Sequence, residues 1–251
     1  MSETLLELED VRKQFGELVA VDDVSFRIED EGLTALIGPN GAGKTTLYNL
    51  ITGLYQPTAG EIQFRGENVT DVSSAERVRR GIGRSFQITN IFEGLTAFEN
   101  VRIPVIARSK GRWNPASRID NEDEINEETE RILQLLGLED LADMVCEEMS
   151  YGDKRRVEIG VTLASDPTLV LLDEPTAGMN PSETDEMVDL LNQLNAETDI
   201  SFFMTEHDMD VIFSIASRIL VLNQGSLISD GTPEEIQQDK TVRAAYLGEE
   251  V

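Results

Sequence analysis

The chain has 251 residues with 48 acidic and 21 basic side chains, a formal net charge of −27. That length suits one large domain or two modest ones, and a hydrophobic content of 40% excludes wholesale disorder. A pI near 4.2 excludes a general nucleic-acid binder, which needs a basic surface to displace counterions. Along the chain, residues 5–8 read as a first strand, and Val24-Ser25-Phe26-Arg27-Ile28 alternates as a second. The apolar run 33–37 is a third strand, entering a Gly-rich loop at 38–43 and then a helix over 44–52. Residues 61–64 with Arg65-Gly66 read as a strand and its turn. From about 96 to 165 the helical period dominates, with loops expected around 104–120. Residues 120–130 carry seven acids, read as a solvated face, while Ile125, Ile132, Leu133 and Leu136 give one apolar face. Beyond 165 the α/β rhythm returns: strand 169–172, helix 182–195, strand 200–204, helix 207–216, strands 219–222 and 227–229. The pattern is an α/β core interrupted by a mostly helical insert.

Cys146 is the only cysteine, so no intramolecular disulfide can form. The start Met1-Ser2-Glu3-Thr4 is unlike a signal peptide, and no apolar run approaches 18 residues. A cytoplasmic protein, able to sit on a membrane, is expected.

Gly38-Pro39-Asn40-Gly41-Ala42-Gly43-Lys44-Thr45 fits the phosphate-loop pattern G-x-x-x-x-G-K-[ST]. Its glycines let backbone N–H groups wrap phosphates, and the following helix N-terminus adds partial positive charge. Lys44 is spaced to reach the β- and γ-phosphates, and the Thr45 hydroxyl to bind Mg²⁺. Asp173-Glu174 close an apolar strand, where the first carboxylate suits a metal and the second can polarise a water for in-line attack. At Ser150-Tyr151-Gly152-Asp153 a helix is expected with Ser150 as its N-cap; this is either a second anion site or an ordinary capped helix.

The order of phosphate loop, Gln87 after a short strand, Ser150-Tyr151-Gly152, Asp173-Glu174 and His207 resembles the ATP-binding cassette (ABC) ATPases. The likeness covers nearly the whole chain. Within that family the chain looks most like the longer of the two paired ATPases of branched-chain amino acid importers. Phe15-Gly16-Glu17-Leu18-Val19-Ala20-Val21, Arg84-Ser85-Phe86-Gln87 with Leu95-Thr96, and Ser150-Tyr151-Gly152 followed by Arg155-Arg156 carry that likeness. So do Glu206-His207-Asp208-Met209 and the ending Ala245-Tyr246-Leu247-Gly248-Glu249. The implied fold is a P-loop α/β core, a mixed sheet with an N-terminal antiparallel β part, over 1–87 and 166–251. A helical subdomain at 88–165 would interrupt it.

The resemblance implies an ATP-hydrolysing subunit of an importer, driven by ATP-dependent dimerisation, with ATP and Mg²⁺ as cofactors. Phe15 would stack on adenine; without the family it reads as a core aromatic. Gly38, Pro39, Asn40, Gly41, Ala42, Gly43, Lys44, Thr45 and Thr46 would hold the phosphates. Thr45, Gln87 and Asp173 would serve Mg²⁺, Glu174 would be the general base, and His207, the only histidine, would contact the γ-phosphate. Gln87 would also sense the attacking water and link to the membrane subunit. Ser150 and Gly152 would bind the ATP held by the opposite subunit, a second copy or a paralogue. Transmembrane permease subunits and, indirectly, a solute-binding protein are the other implied partners, at the inner face of the cell membrane. The same engine serving urea or short amides, and a soluble ABC protein outside transport, are the alternatives. Two positions depart from the family: Asp153 where the signature usually has Gln–like neutrality after L-S-G-G, and Asn180 where the loop after Asp173-Glu174 commonly ends in Asp.

The charge is unevenly spread. Five Lys stand against 16 Arg, and this acid-rich, Lys-poor balance resembles proteins of salt-loving organisms; an acidic protein of an ordinary cytoplasm is the alternative. Residues 77–118 hold nine basic side chains and only Glu93 and Glu99, a net +7 against −34 elsewhere. That segment is expected to face the membrane partner and anionic headgroups, and its sole tryptophan, Trp113, reads either as an interface anchor or as an aromatic pinning a loop. Reversing Arg108, Lys110 and Arg112 to Glu is expected to weaken membrane assembly while sparing nucleotide binding. Vesicle co-sedimentation beside a nucleotide titration checks this, and unchanged assembly at matched salt would sink the docking reading.

Overall fold

The computed structural model describes residues 4–30, 32–85, 91–109 and 120–247, so Gln87, Lys110, Arg112, Trp113 and Arg118 lie outside the described residues. β1 (Thr4–Phe15) and β2 (Leu18–Glu29) form a long antiparallel hairpin. β4 (Ala59–Phe64) pairs along the other edge of β1. The short β5 (Glu67–Asn68) returns across Arg65-Gly66, both with positive φ, as a tight hairpin turn requires. The first strand is longer than the sequence reading of 5–8, because its solvated half pairs with β2 as far as Phe15.

The second sheet has the spatial order β10 (Ser226–Gly231), β9 (Arg218–Asn223), β3 (Leu33–Ile37), β8 (Ser201–Thr205), β7 (Leu169–Asp173) and β6 (Ile82–Ser85). Neighbours are parallel throughout, except that β10 returns antiparallel to β9. Every residue of β3, β7 and β8 is buried, as expected for parallel strands covered on both faces. Period-two alternation divides each strand between two cores. Ala35, Val170, Leu172, Phe202 and Met204 face one; Leu36, Leu169, Leu171 and Phe203 face the other. Each of these side chains other than Ala35 contributes about 1.5–3 kcal/mol on burial.

The antiparallel sheet and α1 (Lys44–Ile51) complete the second core with Leu6, Val24, Leu47 and Tyr48. The first core is completed by α3 (Ala97–Ser109), α4 (Asp120–Leu135), α5 (Tyr151–Leu163), α6 (Pro181–Glu197) and α7 (Met209–Ile215). Ile132 and Leu133 on α4 and Leu136 just past its end are buried, with Ile125 packed against the same core, so the apolar face falls where the spacing put it. α3 corrects the loop expected from 104: it runs through Pro104 to Ser109. Pro104 has no N–H for the Asn100 carbonyl, but Val101 and Val105 on either side are buried in the shared core, and that packing holds the turn. Among the described residues the remaining α-helices are α2 (Ser74–Arg79), α8 (Pro233–Gln238) and α9 (Lys240–Leu247). Among the described residues no helix is long and apolar enough to cross a membrane.

The basic segment is not one continuous surface. Arg77 on α2 is fully buried and donates to five backbone carbonyls: Leu50, Ile51, Val69, Thr70 and Val72. Two of these lie at the C-terminal end of α1, where backbone donors run short and the carbonyls carry the negative pole of the helix. Burial lowers the Arg77 pKa to about 10, partly opposed by Asp71, and the group stays charged at neutral pH. Arg84 is also internal, paired with Asp173. Arg108 reaches Glu128 and Asp166, and Arg102 reaches Glu122, so these charges are engaged within the chain. Replacing Arg77 with Met removes a donor from each of five carbonyls, of which Leu50 and Val69 keep a backbone donor, and is expected to lower unfolding stability by about 3 kcal/mol. Denaturant titration checks it, and a loss under about 1 kcal/mol would show that the clamp is dispensable.

Candidate functional site

Because β3, β6, β7, β8 and β9 run parallel, their carboxyl ends share one edge of the sheet, where ligand crevices of open α/β sheets form. The loop leaving β3 is tightly confined. A Cβ on Gly38 would stand 2.2 Å from the Leu222 carbonyl oxygen, and one on Gly43 would stand 2.4 Å from that of Ala20. Gly43 also has φ +106° and serves as the N-cap of α1 without a side-chain cap. The first-turn N–H groups of α1 are therefore presented to the loop with the positive pole of the helix. The Ala42 N–H donates to Pro39 O (3.1 Å), and the Gly225 N–H donates to Ala42 O (2.9 Å).

Lys44 folds back over this loop. Its Nζ donates to Gly38 O at 2.5 Å and Pro39 O at 3.4 Å. Burial lowers its pKa from the ordinary lysine value, while Glu174 and then Asp173 pull it back up. A cavity of about 500 Å³ opens here, lined by the loop from Asn40 to Thr46, residues 18–20 of β2, Glu174, His207 and the turn Gln224-Gly225. One pocket thus joins the phosphate loop to the expected base and the expected γ-phosphate contact. Gly38 and Pro39 form the root of the loop rather than its lining.

Asp173 ends β7 and Glu174 follows it, in different environments. Asp173 is 5% exposed; its Oδ1 accepts from the Thr205 hydroxyl (2.8 Å) and its Oδ2 from Arg84 (3.0 Å). Glu174 turns into the left-handed region at φ +49°, a conformation costing about 1–3 kcal/mol for a non-glycine residue. Its N–H donates to Thr205 O at 3.0 Å, and its Oε1 lies 2.8 Å from His207 Nε2. Arg155 on α5 donates to the Asp173 and Glu174 carbonyls and pairs with Glu158 at 2.6 Å, bracing the strained turn from behind. Glu206, buried, accepts from the Thr176 N–H and hydroxyl and from the His207 N–H, tying the ends of β7 and β8 together. Tyr48 donates to Phe203 O (2.8 Å) and Leu172 O (3.3 Å). Burial, then Asp173, pushes its pKa well above the ordinary phenol value, so it remains a neutral donor.

The Ser150 segment stands apart from the cavity, which neither Ser150 nor Gly152 lines. Ser150 caps α5, accepting from the Asp153 N–H (3.1 Å) while its hydroxyl donates to Asp153 Oδ2 (2.7 Å). Asp153 is thus a first-turn acid, favourable at the positive end of a helix. Asn180 caps α6 through Ser182 and Glu183, with Glu183 closing a reciprocal capping box. Asn and Asp are equivalent there, so both departures keep a structural task. The Tyr151 hydroxyl donates to Ala177 O at 3.1 Å. That bond holds the Ser150 turn against the loop that Asn180 ends.

Phe15 lies at the tip of the hairpin whose other arm lines the cavity, and is exposed, not a core aromatic. Its ring meets Tyr55 edge-on at 5.4 Å. Gln87 lies outside the described residues. The sequence gives Arg84, Arg155 and Glu206 a part in the family likeness, and Arg84 a place in the basic segment, but none of them a role in the site, and it assigns nothing to Gln224-Gly225. A buried arginine carries no local signal; the Gln224-Gly225 turn does, as a glycine-containing pair between two apolar runs.

Comparison with known proteins bears on this arrangement. Residues 21–177 match the family model of the ABC transporter, and residues 226–251 match that of the branched-chain amino acid ATP-binding cassette transporter. The chain is 37% identical to the high-affinity branched-chain amino acid transport ATP-binding protein BraF of Pseudomonas aeruginosa, over 99% of this chain and all of that one. Among solved structures it is similar to an ATP-binding cassette of an ABC transporter in its ADP conformation. The TM-score is 0.85 at 30% identity, covering 98% of this chain and 99% of that one. It also resembles a dimeric post-hydrolysis cassette bound to ADP and Pi, with a TM-score of 0.77 at 28% identity, over 91% and 99% of the two chains. With the phosphate loop, the acidic strand end and the histidine gathered on one cavity and the sequence match spanning them, the chain belongs to the ABC transporter family as one of its ATP-binding cassettes.

Proposed function

We propose that the chain hydrolyses ATP for an importer of branched-chain amino acids, at sites completed between two chains on the inner face of the membrane. The observation that carries this is the single cavity joining Asn40–Thr46 to Glu174 and His207, with Ser150 and Gly152 absent from it. A site whose remaining anion donors lie elsewhere on the chain is completed by a second subunit, and the dimeric cassette among the similar structures supports that reading. The solute class rests on BraF and on the match at 226–251. In this reading residues 88–165 form a helical subdomain that carries Ser150 and Gly152 toward the partner, a copy or a paralogue, and permease subunits dock beside it.

Within the site, the uncapped N-terminus of α1 and the Lys44 ammonium bind the phosphates. Lys44 gives up its bonds to the Gly38 and Pro39 carbonyls in favour of anionic oxygens, a charge-assisted exchange. Phe15 offers its exposed ring to the base. Glu174 takes a proton from the attacking water, and His207, bonded to it, orients the carboxylate. Mg²⁺ fits the donor set, since the Thr45 hydroxyl and the Asp173 carboxylate are hard oxygen ligands. When bound it neutralises charge on the phosphate oxygens.

Glu174→Gln is expected to bind ATP as before while turnover falls by about 10²–10⁴. A coupled phosphate-release assay beside equilibrium binding reads both, and turnover near wild type would remove Glu174 as base. Lys44→Ala and Gly152→Glu should each be inactive alone in assemblies rebuilt from this chain. Mixed together they should regain a fraction of the turnover, because one site per mixed dimer escapes both defects. No recovery on mixing, with dimers present, would favour a site complete within one chain.

A further inference from the structure

Arg84 is the penultimate residue of β6, its side chain only 9% exposed, against the Asp173 side chain at 7%. The guanidinium is held from several sides. It donates to Asp173 Oδ2 at 3.0 Å and to Asn49 Oδ1 at 2.6 Å, and lies 5.7 Å from the centre of the Tyr48 ring. Asn49 and Tyr48 belong to α1, the helix that starts at Lys44. A monovalent cation is therefore built into the carboxylate that the reading above assigns to Mg²⁺. At so little solvent exposure the pair is weakly screened. A second cation on the same carboxylate must either share it against that repulsion or displace the guanidinium toward Asn49.

We propose that Arg84 is the internal counter-ion of Asp173 and competes with Mg²⁺ for it, so that Arg84 sets how much metal the site demands. It is a positioning residue, acting on nucleotide only through Asp173. This proposal rests on the ATPase reading. The pair keeps Asp173 in one orientation before the metal–nucleotide arrives and spares the buried carboxylate from standing uncompensated. Removing the charge makes Asp173 a better metal ligand.

The test follows binding of a fluorescent, slowly hydrolysed ATP analogue to the intact chain while Mg²⁺ is titrated from zero. Arg84→Gln keeps hydrogen-bonding capacity and loses the charge. Its metal-free nucleotide affinity should match wild type, while the Mg²⁺ concentration for half-maximal effect falls about fivefold or more. Arg84→Lys keeps the charge and should behave as wild type. An unchanged or raised Mg²⁺ demand in Arg84→Gln overturns the proposal. Should that variant not fold, Arg84→Met takes its place with the same two outcomes, and a marked shift in Arg84→Lys points instead to the forked geometry of arginine and overturns the proposal. A wild-type chain that binds no nucleotide, with or without metal, fails the ATPase reading itself; binding that ignores Arg84 fails only the competition.

Discussion

The parallel sheet is buried from both sides, and the placement of every reactive group follows from that. β3, β7 and β8 have no residue facing water, and alternate positions are committed to one core or the other. A polar group has no tolerable place along such a strand unless it is paired. The chemistry is accordingly confined to strand ends, and parallel pairing brings those ends to one edge. β3 lies between β8 and β9, so its loop is flanked by His207 on one side and by Gln224-Gly225 on the other. The lack of room for a Cβ at Gly38 and Gly43 is the local expression of the same packing: the loop threads between the β9 end and β2.

Charges inside the fold brace these ends. Arg77 gathers carbonyls at the end of α1, Arg155 gathers those behind Asp173 and Glu174, and Glu206 joins the turns after β7 and β8. Beyond the buried carbonyls they satisfy, such internal charges gain little over well-packed apolar residues, because desolvation offsets most of the attraction. Their worth is geometric: they hold helix ends and strand ends in register, and so keep Glu174 in its left-handed turn beside His207.

Residues that looked anomalous as chemistry make sense as local structure. Asp153 and Asn180 complete helix N-termini, and Tyr151 joins the two turns through Ala177. A cap needs only an acceptor at the right position, so Asp and Asn exchange there at little cost. The negative charge at 153 is absorbed by the helix it begins. The charge distribution changes meaning in the same way. The basic run 77–118 looks like a surface in one dimension, yet Arg77 and Arg84 serve the interior.

The sequence by itself determined the phosphate loop, the acidic pair closing an apolar strand, the Ser150 cap and the apolar face of α4. Each depends on residues close in the chain, where spacing and backbone chemistry suffice. Most strands were legible for the same reason, since alternation and unbroken apolar runs report burial directly. Tertiary structure alone decided that α3 continues through Pro104, that Arg84 pairs with Asp173 across 89 positions, and that Phe15 is exposed beside Tyr55. These outcomes rest on partners distant in sequence. The free energy of a buried charge or an interrupted helix is set by what packs against it, and no local pattern contains that.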